Sequence, residues 1–443
     1  MKNRPFRHGF LLILIMAACS TRLLFSQQMS KLDRDRAKEM IADISADIKK
    51  HYYDPKIRGV DWEGKVRETK EKIDQSPSMS MALSHVAAAL DVLDDSHTFF
   101  LPPSRPFRVD FGYELQMIGD KCFVVRVRPH SDAEAKGLKP GDQVLALNGY
   151  SPTRATLWKM DYVYRRLRPQ AQMKFDLLSP EGQERRVTVT PRVQQLKRIV
   201  NLTGADGGGD IWDLIRQEEN EEHFYRGRYE ELNEDLMILK LPVFDFSDSE
   251  ISVIMDKARK HKTLIIDLRG NGGGLEEALQ NLLGGVLDHD IKVGDLTSRE
   301  SAKPIVAKSH GKHAFAGKLI VLVDSDSASA SELFARVVQL EKRGAVLGDR
   351  SSGSVMRAKH YSYQAGTDTL VFFGASITDA DIIMTDGKSL EHAGVIPDET
   401  MTPSPVDLAS GRDPVMAHAA DIAGVKLTPE KAASLFPYEW PKD

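Results

Sequence analysis

The sequence predicts a multidomain α/β protein, and three observations carry that expectation. Residues 235–400 alternate strand-like apolar runs with helix-like stripes, the rhythm of an α/β unit built on a largely parallel sheet. Residues 30–93 carry apolar side chains at helical spacing alone. Residues 108–192 change character to short β-like runs separated by turn residues. A chain of 443 residues, 41% apolar and 28% charged, is long enough for two or three domains with cores of their own.

At the N-terminus, Lys2, Arg4 and Arg7 precede the apolar run Phe10–Ala18 and then small residues, the pattern of an export signal over residues 1–28. The run is about half of what spans a bilayer, so a permanent transmembrane helix is not expected. Met16-Ala17-Ala18-Cys19 resembles a bacterial lipoprotein cleavage box. Ordinary cleavage between Ala18 and Gln28 is the favoured reading, and a lipid on Cys19 is the alternative. With Cys19 removed or lipidated, Cys122 is left without a disulfide partner in the chain.

Three helices follow. Ala37, Ile41, Ile44 and Ile48 share one face, as do Trp62, Val66, Thr69 and Ile73, and Met79, Leu83, Val86, Leu90 and Leu93 form a third stripe. Asp54-Pro55 and Ser76-Pro77 separate them. All three stripes read as packing surfaces. In the β-like region, Cys122–Val127 is a strand, Ala133–Gly137 a short helix, and Leu138–Asp142 a turn into the strand Gln143–Leu147. Tyr164–Arg168 (YRRLR) reads as a solvated helix face.

Residues 193–234, with Gly207-Gly208-Gly209 and the charged run Gln217–Glu222, read as an exposed insertion or linker. Strands are then expected at Leu236–Leu241, Leu264–Leu268, Leu319–Val323 and Ala345–Leu347. Helices are expected near Ser249–His261, Glu276–Leu287 and Ser331–Lys342, with a short, partly helical tail after Pro405.

Net charge of −4 gives no general attraction to nucleic acid or to an anionic membrane. The 13 histidines are scattered, no H-E-x-x-H occurs, and His310-x-x-His313 sits in a Gly/Lys loop, so neither metal nor cofactor is expected. The chemistry concentrates in two segments instead. IVLVDSDSASASELF (320–334) places a serine between a buried strand and the N-terminus of a helix, where orphan N–H groups can hold an oxyanion. A plain serine N-cap is the competing use of that residue. TLIIDLRGNGGGLEEA (263–278) also runs from a strand through a glycine turn to a helix, and lacks the lysine and Ser/Thr of a phosphate cradle.

The pair IIDLRGNGGG and VLVDSDSASASELFA resembles the C-terminal-processing and tricorn-core serine proteases, and DDSHTFFLPP (94–103) and DGKSLEHAGVIPDE (386–399) match the same family in the same order. The resemblance implies a helical N-terminal domain (29–107), an inserted PDZ β-domain (108–192), a linker (193–234), a crotonase-like α/β core (235–405) and a tail (406–443). It implies Ser329 as nucleophile and the backbone N–H groups of Gly274 and Ala330 as the oxyanion hole. The family's usual base is a lysine aligned through Arg343 and Gly348, but that position is Ser354 here, and the helper aspartate beside Gln339 is Leu340. The tricorn branch uses a histidine instead, and Ser96, His97 and Glu391 match its arrangement, with His97 as general base. The loop Phe111, Gly112, Tyr113, Glu114 and Leu115 resembles the one with which a PDZ domain captures a terminal carboxylate.

The expectation is therefore an exported serine endopeptidase of the bacterial periplasm or cell envelope, acting on polypeptides or shorter peptides through an acyl-enzyme. It would have no nucleic-acid partner, and membrane contact only through a lipid at Cys19. Two alternatives stay open: a serine–lysine dyad using Lys359, and an inactive binding protein on the same scaffold.

Overall fold

The structure is a computed structural model and describes residues 29–195, 226–366 and 370–440. The expected export signal and most of the expected linker, including its glycine and charged runs, lie outside the described residues.

Three helices open the described chain: α1 (Lys31–His51), α2 (Trp62–Asp74) and α3 (Met79–Asp91). Each begins at a side chain that accepts a backbone N–H of the first turn, from Ser30, Asp61 and Ser78. The stripes are buried as their spacing requires, with Met79 alone only partly covered. Their cover is not helical throughout. Phe100, Phe373, Ala375 and Ile377 complete the same cluster, so the helices rest on strands from both ends of the chain.

Those strands are β1 (Phe99–Leu101) and, far along the sequence, β17 (Val371–Met384). Between them come β2 (Phe107–Asp110), then β3 (Tyr113–Ile118), β4 (Lys121–Val127), α4 (Asp132–Ala135), β5 (Gln143–Leu147) and α5 (Leu157–Asp161). β6 (Met173–Leu178), β7 (Glu184–Val189) and β8 (Arg192–Gln195) close this region. β3 to β7 form one five-stranded antiparallel sheet in sequence order, and β8 pairs with β2. Arg165 of the YRRLR segment is not on a solvated face. Its guanidinium lies 5.7 Å from the Phe111 ring centroid and 5.2 Å from that of Tyr113, and it pairs with Asp161.

The C-terminal half contains β9 (Arg228–Leu232), β10 (Leu236–Lys240), α6 (Asp248–Ala258), β11 (Thr263–Asp267), α7 (Glu276–Val286), β12 (Ile291–Ser298) and β13 (Ala302–Ala307). It continues with β14 (Lys318–Val323), α8 (Ala330–Leu340), β15 (Gly344–Gly348), β16 (Met356–Ala365), β17 (Val371–Met384) and β18 (Glu399–Thr400). The parallel sheet runs β18-β15-β14-β11-β10, with β9 antiparallel at its edge. β8 and β9 occupy the two ends of the expected linker, which is therefore strand rather than loop at those ends. A second, antiparallel sheet, β1-β17-β12-β13 with β16 on β17, was not expected from the sequence. β17 is buried at eight consecutive positions, Phe373–Ala380, and a strand covered on both faces shows no two-residue alternation.

α9 (Pro405–Ala409), α10 (Pro414–Ile422) and α11 (Pro429–Ala433) follow; α10 and α11 pack on the open side of the parallel sheet, while α9 lies against Gly141 of the antiparallel β-region. The last described residues cross to the antiparallel β-region. Arg126 stacks on Tyr438 at 4.2 Å and Arg128 on Trp440 at 5.0 Å. That region also meets the core directly: Gln116 donates to Asp324 (2.7 Å), Ser325 Oγ to the Met117 carbonyl (2.6 Å), and Arg154 to Asp349 (2.7 Å).

Beneath the glycine turn lies a charge network centred on the buried Asp267. Arg269 makes paired bonds to both Asp267 and Asp413, and Lys240 joins Asp267 at 3.3 Å. Burial alone would raise the Asp267 carboxyl, but Arg269 and Lys240 outweigh it and hold the group well below the usual carboxylate range. Among the described residues no helix is long and apolar enough to cross a membrane, and no group of three or more His, Cys, Asp or Glu is arranged to hold a metal ion. Replacing Asp413 by alanine leaves Arg269 with one carboxylate partner. The expected loss is about 2 kcal/mol of stability, read from the urea midpoint at unchanged slope.

Candidate active site

β11 and β14 are parallel neighbours, so the turns that leave their carboxyl ends lie side by side. The two turns are tied together by short polar contacts. Ser327 Oγ donates to the Leu268 carbonyl (2.8 Å), Ser331 Oγ to the Asn271 carbonyl (2.9 Å), and Gly270 N–H to Asp324 Oδ1 (2.9 Å). Ser327 and Ser331 are fully buried in these roles, whereas Ser329 is only partly covered. Ser329 also holds φ 55° and ψ −117°, a strained conformation for a residue with a side chain. Such strain persists only where the surroundings impose it, and here both turns do.

The glycines are explained by the same crowding. A Cβ on Gly273 would sit 2.6 Å from the Ser329 Cβ, and one on Gly274 (φ 144°) would sit 2.3 Å from the Phe244 carbonyl oxygen. The backbone N–H groups of Gly274 and Ala330 find no acceptor among the described residues.

Glu332, three residues into the helix that follows Ser329, is completely buried and gathers the surrounding loop. It accepts from Ser351 Oγ (2.6 Å) and from the backbone N–H groups of Gly353 (2.7 Å), Ser354 (2.9 Å) and Ser329 (3.0 Å). Burial raises its carboxyl to about 7 against the pull of these donors. The Ser354 carbonyl in turn accepts the Ser329 N–H at 2.9 Å. The N–H of that same peptide group, on Val355, donates to Glu391 Oε2 at 2.8 Å. One peptide plane thus joins the serine turn to Glu391.

From Glu391 the contacts continue to the N-terminal region. Ser96 donates its backbone N–H to Glu391 Oε1 (2.7 Å) and its hydroxyl to Oε2 (2.9 Å), and Ser96 Oγ lies 2.7 Å from His97 Nδ1. A hydroxyl has one proton. With that proton on the carboxylate, Nδ1 must carry the hydrogen of the Ser96–His97 contact, which leaves Nε2 with its lone pair. Burial holds the His97 imidazole below the ordinary histidine value. Asp95 opposes that shift and His360 adds to it. Burial raises the Glu391 carboxyl, and the Val355 and Ser96 donors resist.

The structure therefore brings Ser96, His97 and Glu391 into direct contact, and sets Gly274 and Ala330 in the two turns around Ser329. Phe111–Leu115 belongs elsewhere, in the antiparallel β-region. Phe111 and Tyr113 are buried in its core, and the Gly112 N–H already donates to Asp110 at 2.8 Å. Lys359 is 64% exposed and pairs with Asp379 at 3.3 Å. Sequence reasoning gave no role to Glu332 or Asp95, and it marked the loop 351–355 only through Ser354, at the position of the family's lysine. Glu332 had a legible signal, since Ser329-x-x-Glu332 has capping-box spacing. The bridge made by the loop had none, because it runs through main-chain groups.

Residues 235–401 match the family model described as peptidase family S41. The tail-specific protease of Haemophilus influenzae is 23% identical over 431 residues, covering 90% of this chain and 58% of its own length. The chloroplastic C-terminal processing peptidase of Tetradesmus obliquus is 23% identical over 422 residues, covering 88% and 81%. Among solved structures, mature CPAF superposes with a TM-score of 0.63 at 15% identity, over 85% of this chain and 94% of that one, which establishes a shared fold. Both strand-to-helix turns, and the strained serine where they meet, fall within the residues that match a family of peptidases. Residues 235–401 of this chain are a peptidase family S41 domain.

Gly273→Ala tests the packing of the turns. The added methyl must displace the Ser329 turn. Peptide hydrolysis should fall about a hundredfold in kcat/KM, with a stability loss of about 1–3 kcal/mol in parallel urea titrations.

Proposed function

We propose that this protein is an exported serine endopeptidase that hydrolyses polypeptides through an acyl-enzyme. Ser329 is the nucleophile and His97 the general base. The observation that carries this reading is the contact series His97–Ser96–Glu391, linked to the Ser329 turn by the Ser354–Val355 peptide group. His97 Nε2 takes the hydroxyl proton as Ser329 Oγ attacks the substrate carbonyl. Ser96 and Glu391 hold the ring and stabilise the imidazolium. The N–H groups of Gly274 and Ala330 receive the oxyanion, and His97 returns the proton to the leaving amine. Water then repeats the sequence on the acyl-enzyme to release the acid. Lys359 takes no part, being exposed and committed to Asp379.

Ser329→Ala should abolish hydrolysis, and His97→Ala should lower kcat/KM by about three orders of magnitude or more. Lys359→Ala should stay near wild type on the same peptide. An active His97→Ala beside an inactive Lys359→Ala would overturn the assignment in favour of the dyad. The pH dependence follows from the sign of the His97 shift. Only the neutral imidazole accepts a proton, so kcat/KM rises with pH. Because burial holds His97 down, that limb should lie below the ordinary histidine value of about 6.5 and flatten above it.

In this reading the antiparallel β-region is a PDZ domain that captures a free, apolar C-terminus near Phe111–Leu115, and residues 1–28 direct export to the bacterial periplasm or envelope. β3 supports the first point, being the end strand of its sheet with α5 following in the chain. Fluorescence anisotropy on Ser329→Ala with peptides ending in a free apolar residue should show binding, weakened about tenfold or more by C-terminal amidation. Equal affinity for both forms would remove carboxylate capture from the account.

A further inference from the structure

His97 is held by more than Ser96. Its backbone N–H donates to Asp95 Oδ1 (3.0 Å), and so do the Thr98 N–H (2.7 Å) and Thr378 Oγ1 (2.6 Å). Asp95 Oδ2 accepts from Tyr52 OH at 2.8 Å. These donors come from separate elements. Tyr52 is the fully buried residue that caps the C-terminus of α1, and Thr378 is a fully buried residue of β17. Thr378 is fixed in turn, since its N–H donates to Thr98 Oγ1 (3.0 Å) and its carbonyl accepts the Tyr53 N–H (3.0 Å).

Resting on the proposed function, we infer that Asp95 is the positioning residue for His97. It clamps the backbone on which the imidazole is mounted to α1 and β17, as Ser96 and Glu391 clamp the ring from the other side. Without it the ring would keep its Nδ1 partner but lose the fixed peptide that aims Nε2. A carboxylate suits this place because one oxygen takes three donors while the second takes the phenol, and no neutral side chain offers four such acceptor sites.

Asp95 also bears on the charge of the ring. The titratable groups around His97 are Asp95 on its own turn, His360 on β16, and Glu391 through Ser96, with Tyr52 behind Asp95. Asp95 favours the imidazolium, while His360 and burial oppose it. Removing the negative charge at position 95 therefore lowers the pH at which the ring titrates. A role confined to folding would lower stability and leave that midpoint alone.

The test uses the full chain in two settings. In Ser329→Ala, the His97 imidazole is titrated by NMR with and without Asp95→Asn. The variant keeps an acceptor for the backbone donors and is nearly the same shape. In the active protein, Asp95→Asn, Asp95→Ala and Tyr52→Phe are compared by kcat, KM and the pH profile. The expected results are a titration midpoint and an acid limb both moved to lower pH in Asp95→Asn, with kcat down about tenfold and KM little changed. Asp95→Ala should lose about a hundredfold in kcat, and Tyr52→Phe less than either. An unmoved midpoint in Asp95→Asn, or a kcat within about twofold of wild type, overturns the inference. Since the imidazole is followed in a chain without the nucleophile, failure of the peptidase assignment would leave the NMR result to decide this inference by itself.

Discussion

The peptide group between Ser354 and Val355 is the contact on which the arrangement of the site depends. Its carbonyl fixes the Ser329 N–H and its N–H fixes Glu391, so the strained serine and the histidine support are set by one rigid plane. The plane is itself held by Glu332, which collects the N–H groups of Gly353 and Ser354 together with that of Ser329. A buried carboxylate with four donors has little freedom to move, and neither has anything attached to it. This also gives physical content to the missing lysine. Where related proteases are expected to place an amine, this chain places a main-chain bridge from the Ser329 turn to Glu391.

The strain at Ser329 and the charges beneath it belong to one economy of rigid supports. Arg269, Asp413 and Lys240, largely covered, gather with the buried Asp267 under the turn that carries the glycines, and each has a partner of opposite sign. Such a network adds little net stability, since desolvation cancels much of the attraction, but it allows one arrangement and penalises others. A turn that must keep two glycines at φ 100° and 144° against a serine needs that kind of foundation.

What the sequence disclosed followed from pattern. The N-terminal stripes and the parallel strands were legible because one-sided burial imprints a period, and Gln143–Leu147 was placed to the residue. Ser329, His97, Ser96 and Glu391 were singled out through the resemblance of their motifs to a protease family, and the structure brings the last three into contact. The second sheet was not legible, because β17 is covered on both faces. Asp95 was not, because a carboxylate that works through main-chain donors looks like any acidic residue in a turn. Arg165 was misjudged for a related reason: a charge-rich helical run hides the one member that turns inward over aromatic rings.

The site also has an order of assembly in time. Ser96 and Glu391 touch across 295 positions of sequence, and closing so long a loop carries an entropic cost that only the completed sheet offsets. A ribosome delivers the histidine early, the two turns much later, and Glu391 and the Arg269 partner Asp413 near the end. Until about the last fifty residues have been made, the chain holds a Ser329 turn without its link to Glu391 and an Arg269 without its second carboxylate. Synthesis itself thus sets the order in which these long-range supports can close, with the Ser329 turn and Arg269 both waiting on partners made after them.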